Sequence, residues 1–135
     1  MFQNETRDIE WIIGNLKTVA VVGISPDPSR PSNWISLFLK ERGWRIIPVR
    51  PGGEEFFGIK SHASLEEISE PVDLVLIFRR SEFVPMIVDQ AIAKKVTAVW
   101  MQDGIYHEES AKKAVSSGLK VVMDRCIFKE ISRRS

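Results

Sequence analysis

The sequence predicts an α/β fold: a doubly wound, five-stranded parallel sheet with helices on both faces. Three observations carry this. Five short runs, 19–22, 45–49, 72–78, 97–101 and 119–123, alternate with segments of helical spacing. The runs are mostly continuous in apolar residues rather than alternating, as expected of strands buried on both faces. The first ends in Gly23 and an irregular loop that leads into a helix, which is how such sheets build an anion site.

Each element has its own signal. Residues 5–16 read as a helix, with Ile9, Ile12, Ile13 and Leu16 on one face. Residues 33–42 carry Trp34, Leu37 and Phe38 at helical spacing, and Gly43 supplies the C-cap. After the second strand, Pro51-Gly52-Gly53 forces a stop, and residues 54–62 read as an extended excursion with a short bridge at 57–59. Ser64-Leu65-Glu66-Glu67 matches a capping box and opens a brief helix. Ser81 can N-cap a helix to about Lys94, with Pro85 in its first turn, where N–H groups lack partners anyway. Residues 108–117 form a helix that ends at Gly118, and 129–135 read as a polar tail. The expected unit is a single domain over 1–135 with its core in 18–128.

The natural strand order is 3-2-1-4-5. Its switch point lies between strands 1 and 4, so a ligand should sit above the strand C-termini near the loops after those two. The loops after strands 2 and 3 would then meet its outer half.

Composition narrows the partners. The 19 basic and 18 acidic residues leave a net charge of +1, which gives no reason to expect nucleic acid or an anionic membrane. The single cysteine, Cys126, excludes an internal disulfide and a cysteine-based zinc site. No apolar run approaches the roughly 20 residues that span a bilayer. The start of the chain has no signal-peptide pattern, so cytoplasmic residence is expected.

Any cationic site must therefore be local, and arginines gather at one sheet edge. Arg30, Arg50, Arg79, Arg80 and Arg125 follow strand C-termini, whereas Arg45 precedes strand 2 and belongs at the opposite edge. Arginine makes bidentate, charge-assisted bonds to phosphate. Arg50 is the sharpest case. An NAD-binding sheet carries an acid there for the ribose 2′-hydroxyl; a base points instead to a ribose phosphate, as in NADP or coenzyme A. The G-x-G-x-x-G fingerprint is also missing: only Gly23 is present, and three prolines and Arg30 fill the loop. Phe78 either packs on adenine or is the last core residue of strand 3. Gln102 either bonds a ligand amide or holds nearby backbone, and Cys126 is either a small buried residue or a thiol near the site.

Five motifs in order, V-A-V-V-G-I-S-P-D-P-S-R-P-S (19–32), I-P-V-R-P-G (47–52), I-F-R-R-S-E (77–82), V-W-M-Q-D-G (99–104) and V-V-M-D-R-C (121–126), give the chain a family likeness. It resembles the small free-standing CoA-binding proteins, which are similar to the N-terminal domain of the succinyl-CoA synthetase α subunit. The resemblance implies a Rossmann-like fold, with the Gly23 loop on the diphosphate and segments 47–52 and 77–82 flanking the adenosine. The candidate binding residues are Gly23, Ile24, Ser25, Arg30, Ser32, Val49, Arg50, Phe78, Arg79, Arg80, Gln102 and Gly104. Two positions depart from the pattern: family members usually have Asn at Arg50, and commonly an apolar residue at Asp103.

The expected function is non-catalytic binding of CoA or an acyl-CoA, since the chain displays no catalytic constellation and no metal site. The alternatives are an NADP- or acyl-CoA-dependent enzyme component that needs a partner subunit, and a regulator in which Cys126 bonds the CoA thiol. A homodimer is compatible with any of these.

Overall fold

The computed structural model describes residues 2–134. Helix α1 (Thr6–Asn15) leads into strand β1 (Thr18–Val22), α2 (Pro31–Glu41) and β2 (Arg45–Val49). A two-stranded hairpin follows, β3 (Glu55–Phe56) with β4 (Ile59–Lys60), and then a single 3-10 turn, Leu65–Glu67. The chain continues through β5 (Leu74–Ile77), α3 (Val84–Lys94), β6 (Ala98–Met101), α4 (Glu108–Ser116), β7 (Lys120–Val122) and α5 (Ile127–Arg133).

The main sheet is parallel throughout, in the order β2-β1-β5-β6-β7. Counted by sheet strand this is 2-1-3-4-5, so the expected order 3-2-1-4-5 is corrected. The cause lies in the link between the second and third strands. Leu65, Ile68 and Val72 of that link pack with α3 and α4, whereas α2 packs on the opposite face. Right-handed crossovers on opposite faces advance in opposite directions. The third strand is therefore carried back past β1 instead of outward beyond β2. The switch point moves with it, to the gap between β1 and β5.

The continuous apolar strands divide their side chains between two cores. Val19, Val21, Leu74, Leu76 and Trp100 face α1, α2 and α5. Ala20, Val22, Val75, Ile77 and Met101 face α3 and α4. Period-2 alternation thus feeds both layers at once.

Two local expectations change. Ser64 caps nothing; Glu67 instead accepts from the Ala63 N–H. Ser81 does not cap α3 either: a 3-10 turn, Ser81–Phe83, intervenes, and the Ser81 hydroxyl accepts from the Tyr106 N–H. At the edge away from the loops, Arg45 and Glu70 form a bidentate pair at 2.7 and 2.8 Å. The hydrogen bonds from Arg45 hold the Glu70 carboxyl below its ordinary range.

The expected polar tail is largely the helix α5, with Ile127 and Ile131 buried one turn apart against the sheet. Glu130 is also buried there and is paired with Arg133 and Arg134. Met1 and Ser135 lie outside the described residues. Replacing Ile127 by alanine should cost about 2–4 kcal/mol, as for other fully buried isoleucines, measured by urea unfolding.

Candidate ligand-binding site

The site begins at Gly23, the first residue after β1. Its N–H donates to the Val49 carbonyl at 3.1 Å, which ties the loop to the end of β2. Its φ is +92°, and a Cβ there would lie 2.9 Å from Arg79 Cδ and 3.0 Å from the Phe78 carbonyl oxygen. Only glycine lets the loops after β1 and β5 pass this closely, and those strands flank the switch point.

Beyond Gly23 the loop is held by the start of α2. The Ser25 N–H donates to Ser32 Oγ at 2.9 Å, and Asn33 Nδ2 donates to the Ser25 carbonyl at 2.8 Å. Asp27 accepts from both the N–H and the hydroxyl of Ser29, at 2.9 and 2.8 Å. The backbone bond from Ser29 is the main reason that the Asp27 carboxyl lies below its ordinary range. Pro31 occupies the first helical position, where its missing N–H costs nothing. This pins the helix start two residues before the expected position.

A cavity of about 480 Å³ opens above this loop, within the range typical of ligand sites. Gly23, Ser25, Arg30 and Ser32 line one side, and Phe78, Gln102 and Asp103 come from the loops after β5 and β6. The remaining wall includes Cys126, Phe128 and Lys129, from the start of α5. Phe128 stacks edge-on against Trp34 at 5.0 Å and Phe38 at 4.9 Å, which fixes α5 to α2.

Six of the twelve candidate residues thus line one cavity: Gly23, Ser25, Arg30, Ser32, Phe78 and Gln102. The other six are placed differently. Ile24 and Val49 are core side chains and offer only backbone. The Gly104 N–H is taken by Asp124 at 2.7 Å, outside the cavity wall. Arg79 lies 4.1 Å over the Phe83 ring, and Arg80 pairs with Glu82 at 3.3 Å. Arg50 pairs with Glu54 at 3.1 Å and donates to the Ile24 carbonyl, also at 3.1 Å.

Of the five arginines expected at this edge, Arg30 alone lines the cavity, and its guanidinium has no ion pair among the described residues. Gln102 is only 3 % exposed, and its Oε1 accepts from the Ile127 N–H at 2.8 Å. It therefore holds distant backbone and still has its NH₂ group to offer. Asp103 does not leave a bare anion at the rim, because Lys129 pairs with it at 3.5 Å. The thiol of Cys126 is half-buried on the cavity wall. The sequence singles out neither Phe128, the last residue of the expected core, nor Lys129, the first of the expected polar tail; Ile127 and Ile131 at helical spacing are the available signal for α5.

Among the described residues, no group of three or more His, Cys, Asp or Glu could hold a metal ion. No helix there is long and apolar enough to cross a membrane.

Known proteins resemble this chain in sequence, and one of them in solved structure. An uncharacterized Bacillus subtilis protein, YneT, is 37% identical over 126 residues, covering 93% of each chain. A solved structure of a hypothetical protein from Pyrococcus horikoshii is 34% identical, with a TM-score of 0.89 and 98% of each chain covered. An ADP-forming acetate–CoA ligase from Methanocaldococcus jannaschii is 27% identical over 130 residues; the match covers 90% of this chain but only 18% of the ligase. The CoA binding domain pattern matches residues 17–132. With that match across nearly the whole chain, and with the parallel sheet and its edge loops in place, the protein belongs to the CoA binding domain family.

Proposed function

We propose that the protein binds coenzyme A or an acyl-CoA at the C-terminal edge of the sheet and carries out no reaction on it alone. The diphosphate would lie against the Gly23 loop and Arg30. The adenosine would lie toward the ends of β2 and β5, and the pantetheine arm would run past Gln102 toward Cys126 and Phe128. One observation carries the reading: an unpaired arginine and a glycine-gated loop share one cavity with an apolar wall. The Ser32 N–H, in the first turn of α2, finds no acceptor among the described residues and suits a phosphate oxygen. Ser32, Gln102 and the Asp103–Lys129 pair already serve to hold loops and α5, which fits recognition better than chemistry.

The expected result is thermal stabilisation by CoA that grows with ligand as RT ln(1 + [L]/Kd), about 2.7 kcal/mol at a hundredfold excess over Kd. An unchanged melting temperature in millimolar CoA would reject the reading.

A second reading follows from Cys126 on the cavity wall. Its thiolate could attack CoA disulfide, forming a protein–CoA disulfide and releasing one CoA thiolate. Its mark is a mass increase equal to CoA that reductant removes. The likeness to part of an acetate–CoA ligase favours a third arrangement, in which a partner subunit supplies the chemistry.

A further inference from the structure

We propose that Glu54 is a built-in counter-ion that competes with the ligand for Arg50, and so limits how strongly the site selects a ribose phosphate. The inference rests on the CoA reading above.

Arg50 directly follows β2, whose last carbonyl, that of Val49, receives the Gly23 N–H. It therefore stands beside the loop assigned to the diphosphate. Its Nε donates to Glu54 Oε2 at 3.1 Å and its Nη1 to the Ile24 carbonyl at 3.1 Å, which leaves Nη2 unused. The pair is half satisfied from the acid's side too. Glu54 Oε1 is buried and has no hydrogen-bond partner. It occupies space that exists because residue 52 is glycine, where a Cβ would lie 2.7 Å from that oxygen.

The contrast with Arg45 and Glu70 is instructive. There both carboxylate oxygens are bonded by one guanidinium, at 2.7 and 2.8 Å. That is the geometry of a settled ion pair. Glu54 makes one bond, and its other oxygen has lost water without gaining a donor, which is unfavourable. Two further orphaned polar atoms, Ser61 Oγ and His62 Nδ1, belong to the same corner of the fold. The Ser61 N–H donates to the Glu54 carbonyl, and residue 62 bridges to Val49. Buried polar groups without partners call for an explanation, and among the described residues those three all fall within residues 54–62.

A phosphate group on ribose could take the Arg50 fork through two oxygens at once. Glu54, whose side chain is 38% exposed, could then turn out and regain hydration. In the free protein the carboxylate occupies the place of that phosphate. Ligands without the phosphate would leave the Arg50–Glu54 pair as it is.

The test compares Kd for CoA and dephospho-CoA by calorimetry on the wild type, Glu54→Gln, Arg50→Gln and the double variant. Removing the competing charge should tighten CoA about two- to fivefold, the effect of one partly exposed ion pair, and leave dephospho-CoA unchanged. In the Arg50→Gln background the same change should do nothing. Glu54→Asp, too short to reach Arg50 as Glu54 does, should act in the same direction if the glutamine variant folds poorly. The proposal is overturned if Glu54→Gln weakens CoA, shifts both ligands equally, or keeps its effect without Arg50. Those outcomes leave CoA binding itself intact. A wild type that binds neither ligand overturns the CoA reading and this inference together.

Discussion

Replacing Arg30 by glutamine is expected to weaken CoA binding about ten- to a hundredfold with little change in stability. Hydrogen bonds to charged groups contribute about 1.5–3 kcal/mol each, and 1.4 kcal/mol is a factor of ten. Arg30 is exposed at the cavity mouth and its side chain pairs with nothing among the described residues, so the fold loses little. Its backbone, which starts α2 by accepting from Asn33 and Trp34, is untouched. Dephospho-CoA should lose as much as CoA, because both carry the diphosphate. Calorimetric titration of both ligands checks this; equal affinities of wild type and variant would remove Arg30 from the site.

The second large effect is expected at Gly23. An alanine there meets two separate obstacles. The backbone must keep φ near +92°, and the new methyl would stand 3.0 Å from the Phe78 carbonyl, which is main chain and cannot simply swing away. Strain of this kind amounts to about 1–3 kcal/mol. For a chain of this size that corresponds to a fall in melting temperature of roughly 4–12 °C. Relief of the clash pushes apart the loops after β1 and β5, so CoA affinity should fall as well. Thermal melts with and without CoA report both. An alanine variant as stable as the wild type would show that the two loops are free to separate.

Gly23 also shows how far the sequence could be read. A glycine after Val19-Ala20-Val21-Val22 identifies the strand end and the loop, because two-faced burial imposes a continuous apolar run. The five sheet strands were legible for the same reason. Their order was not, because it depends on the face taken by residues 50–73. That link has no α-helix of its own, and only the packing of Leu65, Ile68 and Val72 reveals its side. Helix α5 was hidden by its charges: Lys129, Glu130, Arg133 and Arg134 look like a solvated tail. In the fold, Glu130 is buried with Arg134 3.0 Å away. Without α5 the cavity lacks one wall, and Asp103 lacks its partner Lys129.

The arginines teach a related lesson. Strand ends place Arg50, Arg79 and Arg80 at the correct edge, but not their side-chain partners. Glu54 lies four residues after Arg50, across a turn made by Pro51, Gly52 and Gly53, and Phe83 lies beneath Arg79. Such contacts depend on loop geometry that apolar periodicity does not encode. Arg30 reaches the cavity mouth because the proline-rich loop and α2 carry it there; Asp27 lies near enough to feel its charge, but the two form no ion pair.

Titration calorimetry of the wild-type protein with CoA, with NADP in parallel, tests the central claim most directly. Saturable binding of CoA, with NADP weaker or silent, is the expected result. No heat and no saturation with millimolar CoA, or binding of NADP alone, would contradict it.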